Sequence, residues 1–493
     1  MSGCNVFLIQ PHLTYPPEPI SGRHQTVRQQ EGYIEIGLLS VASTLAARGV
    51  EVSVIDMSRG DVTPGDLRMR ILAARPLLVG IACMSGFAYP ALKTYCALVK
   101  EINPEIFIFA GGQHVSPLGS IALDEIQHLD CVVRYEGEGT TLELYDAVVN
   151  QLRTLESVPG IVFRSGAKIV STPDTGTQLP LEELAYLNYE MFPNFQNLVP
   201  RLEESRGCPF DCSFCSNASV FTYKVRYKAA DRLIGELNWI YRQYGNPQVL
   251  RFYLIAKNYG LNRNITEEFA KSVRRLPFKF QWRTQTRADM IDPDLIPTLS
   301  AGGLRVLDLG LESASPKMLR LMNKTDDPKD YLTKAEAVFE VVGKLPETKL
   351  KINLVFHPGE TSETLGETLE FLFRWRAKID AVTAAPAMVD PGAPLWHKMP
   401  FFEQNYGSRL IKNEFWDAIH THPVHPSDEL SFEQCNMLAN LVSKMFQTKE
   451  SYFETRLFGG MLRSTDLQKF DAKMRGVSTA LQPYRKFGGH AVE

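Results

Sequence analysis

The chain has 493 residues, 44% of them hydrophobic and 22% charged, with a formal net charge of −3. That length exceeds one ordinary core and predicts two or three domains, and the near-neutral balance excludes a general binder of nucleic acid or anionic lipid. No apolar run reaches the roughly 18 residues of a membrane span, and Met1–Asn5 leads into an apolar strand without a basic leader, so a cytoplasmic location is expected. Three of the eight cysteines fall within residues 208–215, a pattern of metal binding in a reducing compartment rather than of a disulfide framework.

In chain order, Asn5–Ile9 reads as an apolar strand followed by a long loop. Gly37–Arg48 has helical spacing and stops at Gly49; Val50–Ile55 is a strand and Asp61–Ala74 a helix. The alternation continues with strand Leu77–Cys83, helix Pro90–Ile102, strand Ile106–Ala110, helix Ile121–His128, strand Cys131–Arg134 and helix Leu142–Asn150. Short apolar strands separated by helices predict a doubly wound parallel sheet over residues 1–150, with ligands beyond the carboxyl ends of the strands.

Three of those ends are rich in glycine: Ser85-Gly86-Phe87, Gly111-Gly112-Gln113-His114 and Glu136-Gly137-Glu138. Glycine there lets backbone amides approach a ligand closely, although each stretch taken singly is an ordinary tight turn. Together, in this order, they resemble the Rossmann-like cobalamin-binding domain that precedes the catalytic domain in one class of radical S-adenosylmethionine (SAM) proteins. The resemblance implies that these residues surround cobalamin. Members that ligate cobalt through histidine carry Asp-x-His-x-x-Gly after the first strand. His12 lies near that place but lacks the Asp two residues before it and the Gly after it. Cobalamin bound without a histidine ligand is therefore expected, with His12 kept among the residues around it.

The middle third holds Arg206-Gly207-Cys208-Pro209-Phe210-Asp211-Cys212-Ser213-Phe214-Cys215. CxxxCxxC puts three soft thiolates on one tight loop, able to hold three irons of a cubane and leave the fourth open to a ligand. A closed zinc site would want a fourth ligand, typically from a second CxxC or HxxxH, and none lies nearby. The motif closely resembles that of the radical SAM superfamily. The resemblance implies a [4Fe-4S] cluster on Cys208, Cys212 and Cys215, with SAM on the open iron and Phe214 beside it. Downstream, Val249–Ile255, Phe278–Thr286, Val306–Gly310, Lys349–Val355 and Ala381–Pro386 read as strands. With the strand entering the cysteine loop they predict a partial (β/α)6 barrel over residues 196–400, its chemistry at the carboxyl mouth. Gln285 and Arg287, then Glu312 and Ser313, close the third and fourth strands and are implied to hold SAM. Pro358-Gly359-Glu360-Thr361 also resembles cobalamin-type members, with His357 expected to be structural. Many relatives are acidic after the second strand, where this chain has Lys257; a solvated lysine is expected there.

Residues 151–195 read as a linker with a short hairpin, Gly160–Ser171, and residues 401–493 as a mainly helical carboxyl-terminal domain with a possible substrate pocket. Trp396, Phe401, Phe402, Tyr406 and Trp416 are either pocket lining or core. The spacing of His420, His422 and His425 suits a loop better than a metal site. The resemblance implies C-methylation of an unactivated carbon in a natural-product, peptide or lipid precursor, with an electron donor such as flavodoxin or ferredoxin. Alternatives are radical cyclisation or ring rearrangement without net methylation, polar methyl transfer, and a corrinoid carrier or metal-sensing protein without enzymatic activity.

Overall fold

A computed structural model describes residues 5–16, 25–27, 34–173, 176–217, 224–448, 451 and 458. The amino-terminal unit alternates β1 (Val6–Gln10), α1 (Ile36–Ala47), β2 (Val52–Asp56), α2 (Pro64–Ala74), β3 (Leu78–Ala82), α3 (Tyr89–Ile102), β4 (Phe107–Gly111), α4 (Val115–Glu125), β5 (Cys131–Val133) and α5 (Gly137–Val148). Each strand is a short apolar run because helices cover both faces. Helix α2 starts where a sequence signal puts it: Thr63 and Asp66 form a reciprocal capping box with Pro64 at the first turn. The expected linker hairpin forms as β6 (Ile161–Ser165) and β7 (Lys168–Ser171). It pairs antiparallel with β5, so the sheet runs β2-β1-β3-β4-β5-β6-β7 and extends past residue 150.

Two helices begin earlier than their periodicity suggests. Helix α4 begins at Val115 rather than Ile121, and α5 at Gly137 rather than Leu142. Glycine marks a turn by composition, but Gly137 and Gly139 lie in the first turn of α5 for reasons of packing. A Cβ on Gly139 would lie 2.3 Å from the Thr177 carbonyl oxygen, and one on Gly137 would lie 3.1 Å from Val41.

The second sheet is parallel, in the order β8 (Arg201–Glu203), β9 (Val249–Ile255), β10 (Lys279–Arg287), β11 (Leu304–Glu312), β12 (Lys349–Phe356) and β13 (Ala381–Pro386). Between these strands run α6 (Ala230–Gln243), α7 (Arg263–Val273), α8 (Ile296–Ala301), α9 (Pro316–Leu321), α10 (Pro328–Val342) and α11 (Ser362–Arg374). This is the expected six-stranded partial barrel. The strands are not uniformly apolar. Phe252, Leu254, Trp282, Leu307, Leu309 and Ile352 are buried under the helices. Alternate positions carry Arg251, Tyr253, Gln281, Arg283, Asp308, Lys351 and Asn353, linked by hydrogen bonds across the inner face.

Beyond the barrel come β14 (Met388–Val389), α12 (Pro394–Tyr406), β15 (Arg409–Leu410), α13 (Glu414–Ala418), β16 (His422–His425) and α14 (Phe432–Phe446). Helix α14 packs on β13, burying Cys435 and Ala439 beside Phe356 and Leu365. Most of the expected helical stretch after residue 448 lies outside the described residues. Of the three histidines only His420 lies in a loop, the turn after α13. His422 and His425 belong to β16, paired with β14 and β15, and His420 bonds Glu125. Phe402 is core, Phe401 is exposed, and Trp416 meets Phe87 edge-on.

Candidate active site

The cysteine loop follows β8 and crosses the carboxyl mouth of the barrel. It is fixed from several sides. The Ser213 N–H donates to the Met322 carbonyl (2.8 Å), and the Leu395 N–H donates to the Ser213 carbonyl (2.7 Å). The Ser213 hydroxyl lies 2.8 Å from Nε2 of His357, whose Nδ1 lies 2.8 Å from the Pro358 carbonyl. His357 is fully buried, and burial holds its pKa at about 4, so the neutral ring acts as a strut, as expected. Phe214 meets the same ring edge-on at 6.3 Å.

Cys212 is buried, and Cys208 and Cys215 are half-buried. Burial pushes all three thiols up, and each also feels the charge of another of the three. Opposing this are the Phe210 and Asn217 backbone N–H groups and three cations, Arg287, Lys324 and Lys257. Soft donors on one loop with positive charge behind them suit a thiolate-ligated cluster. Among the described residues, no three His, Cys, Asp or Glu side chains converge on one ion.

Arg287 is part of this support. Its Nη1 donates to Cys212 Sγ (3.4 Å), Nε to Asp289 (2.9 Å) and Nη2 to the Lys324 carbonyl (2.5 Å), and the guanidinium lies 3.7 Å over Phe210. Glu312 ends β11 with φ of +65°, a left-handed conformation that costs a non-glycine residue about 1–3 kcal/mol and clusters at ligand sites. Its carboxylate accepts from Lys324 Nζ at 3.1 Å. Gln285 sits one layer below Arg287, with Tyr253 donating to its amide oxygen at 3.3 Å. Ser313 follows Glu312 at the strand end, but its hydroxyl is turned into a buried contact with Thr368 at 2.9 Å.

Lys257 differs from the expected solvated lysine. It is half-buried; burial lowers its pKa, while Cys215, Glu203 and Cys208 attract its charge.

The carboxyl edge of the amino-terminal sheet meets this loop directly. Gln113 Nε2 donates to Ser216 Oγ at 2.5 Å, next to Cys215. Arg206, two residues before Cys208, donates to Glu136 (2.9 Å) and Glu138 (2.7 Å). These two carboxylates, expected at a cofactor, are thus turned to the cysteine loop. His12 Nδ1 lies 2.8 Å from the Tyr95 hydroxyl. Phe87 stacks on Tyr15 at 4.6 Å. The strand-end glycines first accommodate protein: a Cβ on Gly86 would lie 2.5 Å from Thr421 Oγ1, and one on Gly112 would lie 2.6 Å from the Cys83 carbonyl. Gly111 meets nothing nearer than 3.6 Å, and Ser85 accepts a weak bond from the Cys83 thiol through its carbonyl. His114 leaves a buried Nε2 without a hydrogen-bond partner, which a ligand at this edge can satisfy. The residues fit a cofactor bound here.

Residues 203–372 match the radical SAM superfamily model, and residues 30–145 match that of the B12 binding domain. The chain is a radical SAM enzyme with a cobalamin-binding domain. It is 26% identical to an uncharacterized methyltransferase of Pyrococcus horikoshii, over 82% of this chain and 85% of that protein. It is 28% identical to the anaerobic magnesium-protoporphyrin IX monomethyl ester cyclase of Rubrivivax gelatinosus, over 68% of this chain but only 61% of the cyclase. In fold it resembles the cobalamin-dependent SAM radical enzyme OxsB with aqua-cobalamin bound. The TM-score is 0.72 at 15% identity, covering 96% of this chain and 71% of that one. No described helix of the enzyme is long and apolar enough to cross a membrane.

Sequence reasoning had not singled out Arg206, Lys324, or the inner-face set Arg283, Asp308 and Lys351. One signal was present. Charged and amide residues recur at every second position in Lys279-x-Gln281-x-Arg283-x-Gln285 and in Lys349-x-Lys351-x-Asn353, marking one polar face on each strand.

Proposed function

We propose that this enzyme is a cobalamin-dependent radical SAM C-methyltransferase acting on an unactivated carbon of a natural-product, peptide or lipid precursor. One observation carries the reading: the carboxyl edge of the B12-binding sheet bonds directly to the cysteine loop, through Gln113 to Ser216 and through Arg206 to Glu136 and Glu138. Two cofactor faces so joined share one reaction space. Cys208, Cys212 and Cys215 would hold the cluster, and Glu312, Gln285 and Arg287 would shape the SAM side. Residues 111–114 with Ser85, Gly86 and Phe87 would border cobalamin.

When bound, these groups supply reductive SAM cleavage and a transferable methyl group. The chain's own residues orient and exclude water. Arg287 and Lys324 place positive charge behind the thiolates, and Lys324 holds Glu312 in place. His357 and Ser213 brace the loop without exchanging protons near neutral pH. Cobalamin bound without a histidine ligand accords with His12 being bonded to Tyr95.

Likeness to a methyltransferase favours methylation. Likeness to the Rubrivivax cyclase supports a second reading, oxidative ring formation without net methylation. An electron donor of the flavodoxin or ferredoxin type would serve either. The test is anaerobic reconstitution with iron, sulfide and cobalamin, followed by gel filtration and product mass. Retained cobalamin and a product heavier by one methyl group support methylation. A product lighter by hydrogen supports the cyclase reading, and failure to retain cobalamin removes methyl transfer through it.

A further inference from the structure

We propose that Arg206, with Glu136, Glu138, Glu203 and Arg226, forms the clamp that sets the distance and angle between the edge of the B12-binding sheet and the cysteine loop. Arg206 is then a positioning residue for the transfer. This rests on the preceding reading that both faces carry cofactors.

The placement makes the coupling direct. Arg206 is two residues from Cys208, at most about 7 Å of extended chain. Its partners lie across the domain boundary, Glu136 at the end of the turn after β5 and Glu138 in the first turn of α5.

The geometry makes it stiff. The guanidinium is planar and presents its N–H groups as a rigid fork. Nε meets both oxygens of Glu203 at 3.0 Å, Nη1 meets Glu136 at 2.9 Å, and Nη2 meets Glu138 at 2.7 Å. Three carboxylates in three directions leave the fork no freedom to turn. The partners are themselves anchored. Ser40 of α1 donates to Glu138 at 2.5 Å, while Arg226 pairs with Glu136 and donates to the Leu179 carbonyl at 3.1 Å. The clamp thus ties together helix α1, the β5–α5 turn, the linker and the cysteine loop.

Burial makes it selective. The Arg206 side chain is only 8% exposed, so each pairing is made out of water. Well-packed apolar side chains would stabilise such a contact as well or better, and a buried ionic group instead favours one arrangement over near alternatives. Two arginines against three glutamates leave the clamp one negative charge in excess, and Lys257 lies close enough to feel both Glu203 and Arg206. The Gln113–Ser216 bond is a second attachment across the same gap, and two points fix a rotation that one leaves open.

The experiment uses the full chain, reconstituted with cluster and cob(II)alamin and reduced so that both centres are paramagnetic. Pulsed electron–electron dipolar spectroscopy then reads their separation. The wild type should give one narrow distance. Arg206→Gln and Glu138→Gln should broaden or lengthen it while iron content stays at the wild-type level, and Arg206→Lys should not restore it, because an ammonium has no fork. A distribution as narrow and as placed as wild type in both Gln variants overturns the clamp. If wild type retains no cobalamin, the proposed function fails, and the clamp is read instead in the cluster-loaded protein by hydrogen exchange. Residues 136–141 and 203–207 should then lose protection together in either Gln variant, by about a hundredfold or more for a broken buried pair. Unchanged protection there refutes it.

Discussion

Asp308 on β11 is 2% exposed and lies inside the barrel. It receives Arg283 Nε (2.5 Å) and Nη2 (2.9 Å) on both oxygens, and Lys351 Nζ at 2.8 Å. Burial works to raise its pKa, but the two cations outweigh it and hold the carboxyl below its ordinary value. Asp308→Asn removes the charge with almost no change of shape. Arg283 and Lys351 would then share a buried face without a carboxylate, a defect worth about 3–5 kcal/mol where pairs are fully enclosed. Both cations keep 15% exposure and recover some hydration, which places the expected loss near the lower limit, about 3 kcal/mol. For a domain of this size that is a fall in melting temperature of about 6–12 °C. Differential scanning fluorimetry of the apo-protein at pH 7 measures it. The triple replacement Arg283→Met, Asp308→Leu and Lys351→Met should recover part of the loss, because it leaves no unpaired charge. An Asp308→Asn variant that melts within a degree of wild type would show that water, not the carboxylate, satisfies the two cations.

Cys212→Ala should abolish the iron-dependent absorbance of reconstituted protein and the cleavage of SAM, with the apo-protein melting close to wild type; intact absorbance would contradict the cluster assignment. His357 and His114 are each held at about 4, by burial first. An unfolded chain binds their protons below about 6.5, so stability is fully present above that pH and falls as pH drops toward 4. His357→Gln should flatten that slope by up to about 3 kcal/mol across the window in urea titrations at successive pH values. Glu204 and Glu360, raised to about 7 mainly by burial, slope the opposite way in both proteins and cancel in the difference. Gly86→Ala should cost about 1–3 kcal/mol by driving a methyl group into Thr421 and the Ile419 carbonyl, and it should make residues 411–422 more open to protease; unaltered digestion would mean the segment yields freely.

What could be read from the chain follows the range over which each feature is determined. The cysteine loop was legible because CxxxCxxC is a local pattern, readable from spacing without knowledge of the fold. Glu312, expected from the resemblance, does end β11 with its carboxylate held by Lys324. The turn of Ser313 was not legible: the left-handed backbone of Glu312 interrupts the alternation of the strand, and the next side chain goes to Thr368. The glycines after β3, β4 and β5 suggest close approach of a ligand, but composition does not say what approaches, and at Gly86, Gly112, Gly137 and Gly139 the nearest neighbour is the chain itself. Arg206 looked like an ordinary residue before the motif, because its partner Glu136 is 70 positions away.

The same logic bears on why the barrel is polar inside. A closed eight-stranded barrel fills its interior with branched apolar side chains and is a core. Six strands leave a gap, and on the inner face Arg251, Tyr253, Arg283, Lys351 and Asn353 stay partly exposed around the buried Asp308. Paired ions and amides such as Arg283, Asp308, Lys351 and Asn353 suit such a half-covered face and still hold the strands in register. An open barrel fixed from within by ions can present its mouth to a second domain, and that domain must itself be held by something more directional than apolar contact. The buried charges at Arg206 and at Asp308 therefore answer the same problem at two depths: keeping an incomplete barrel rigid enough to aim a reaction.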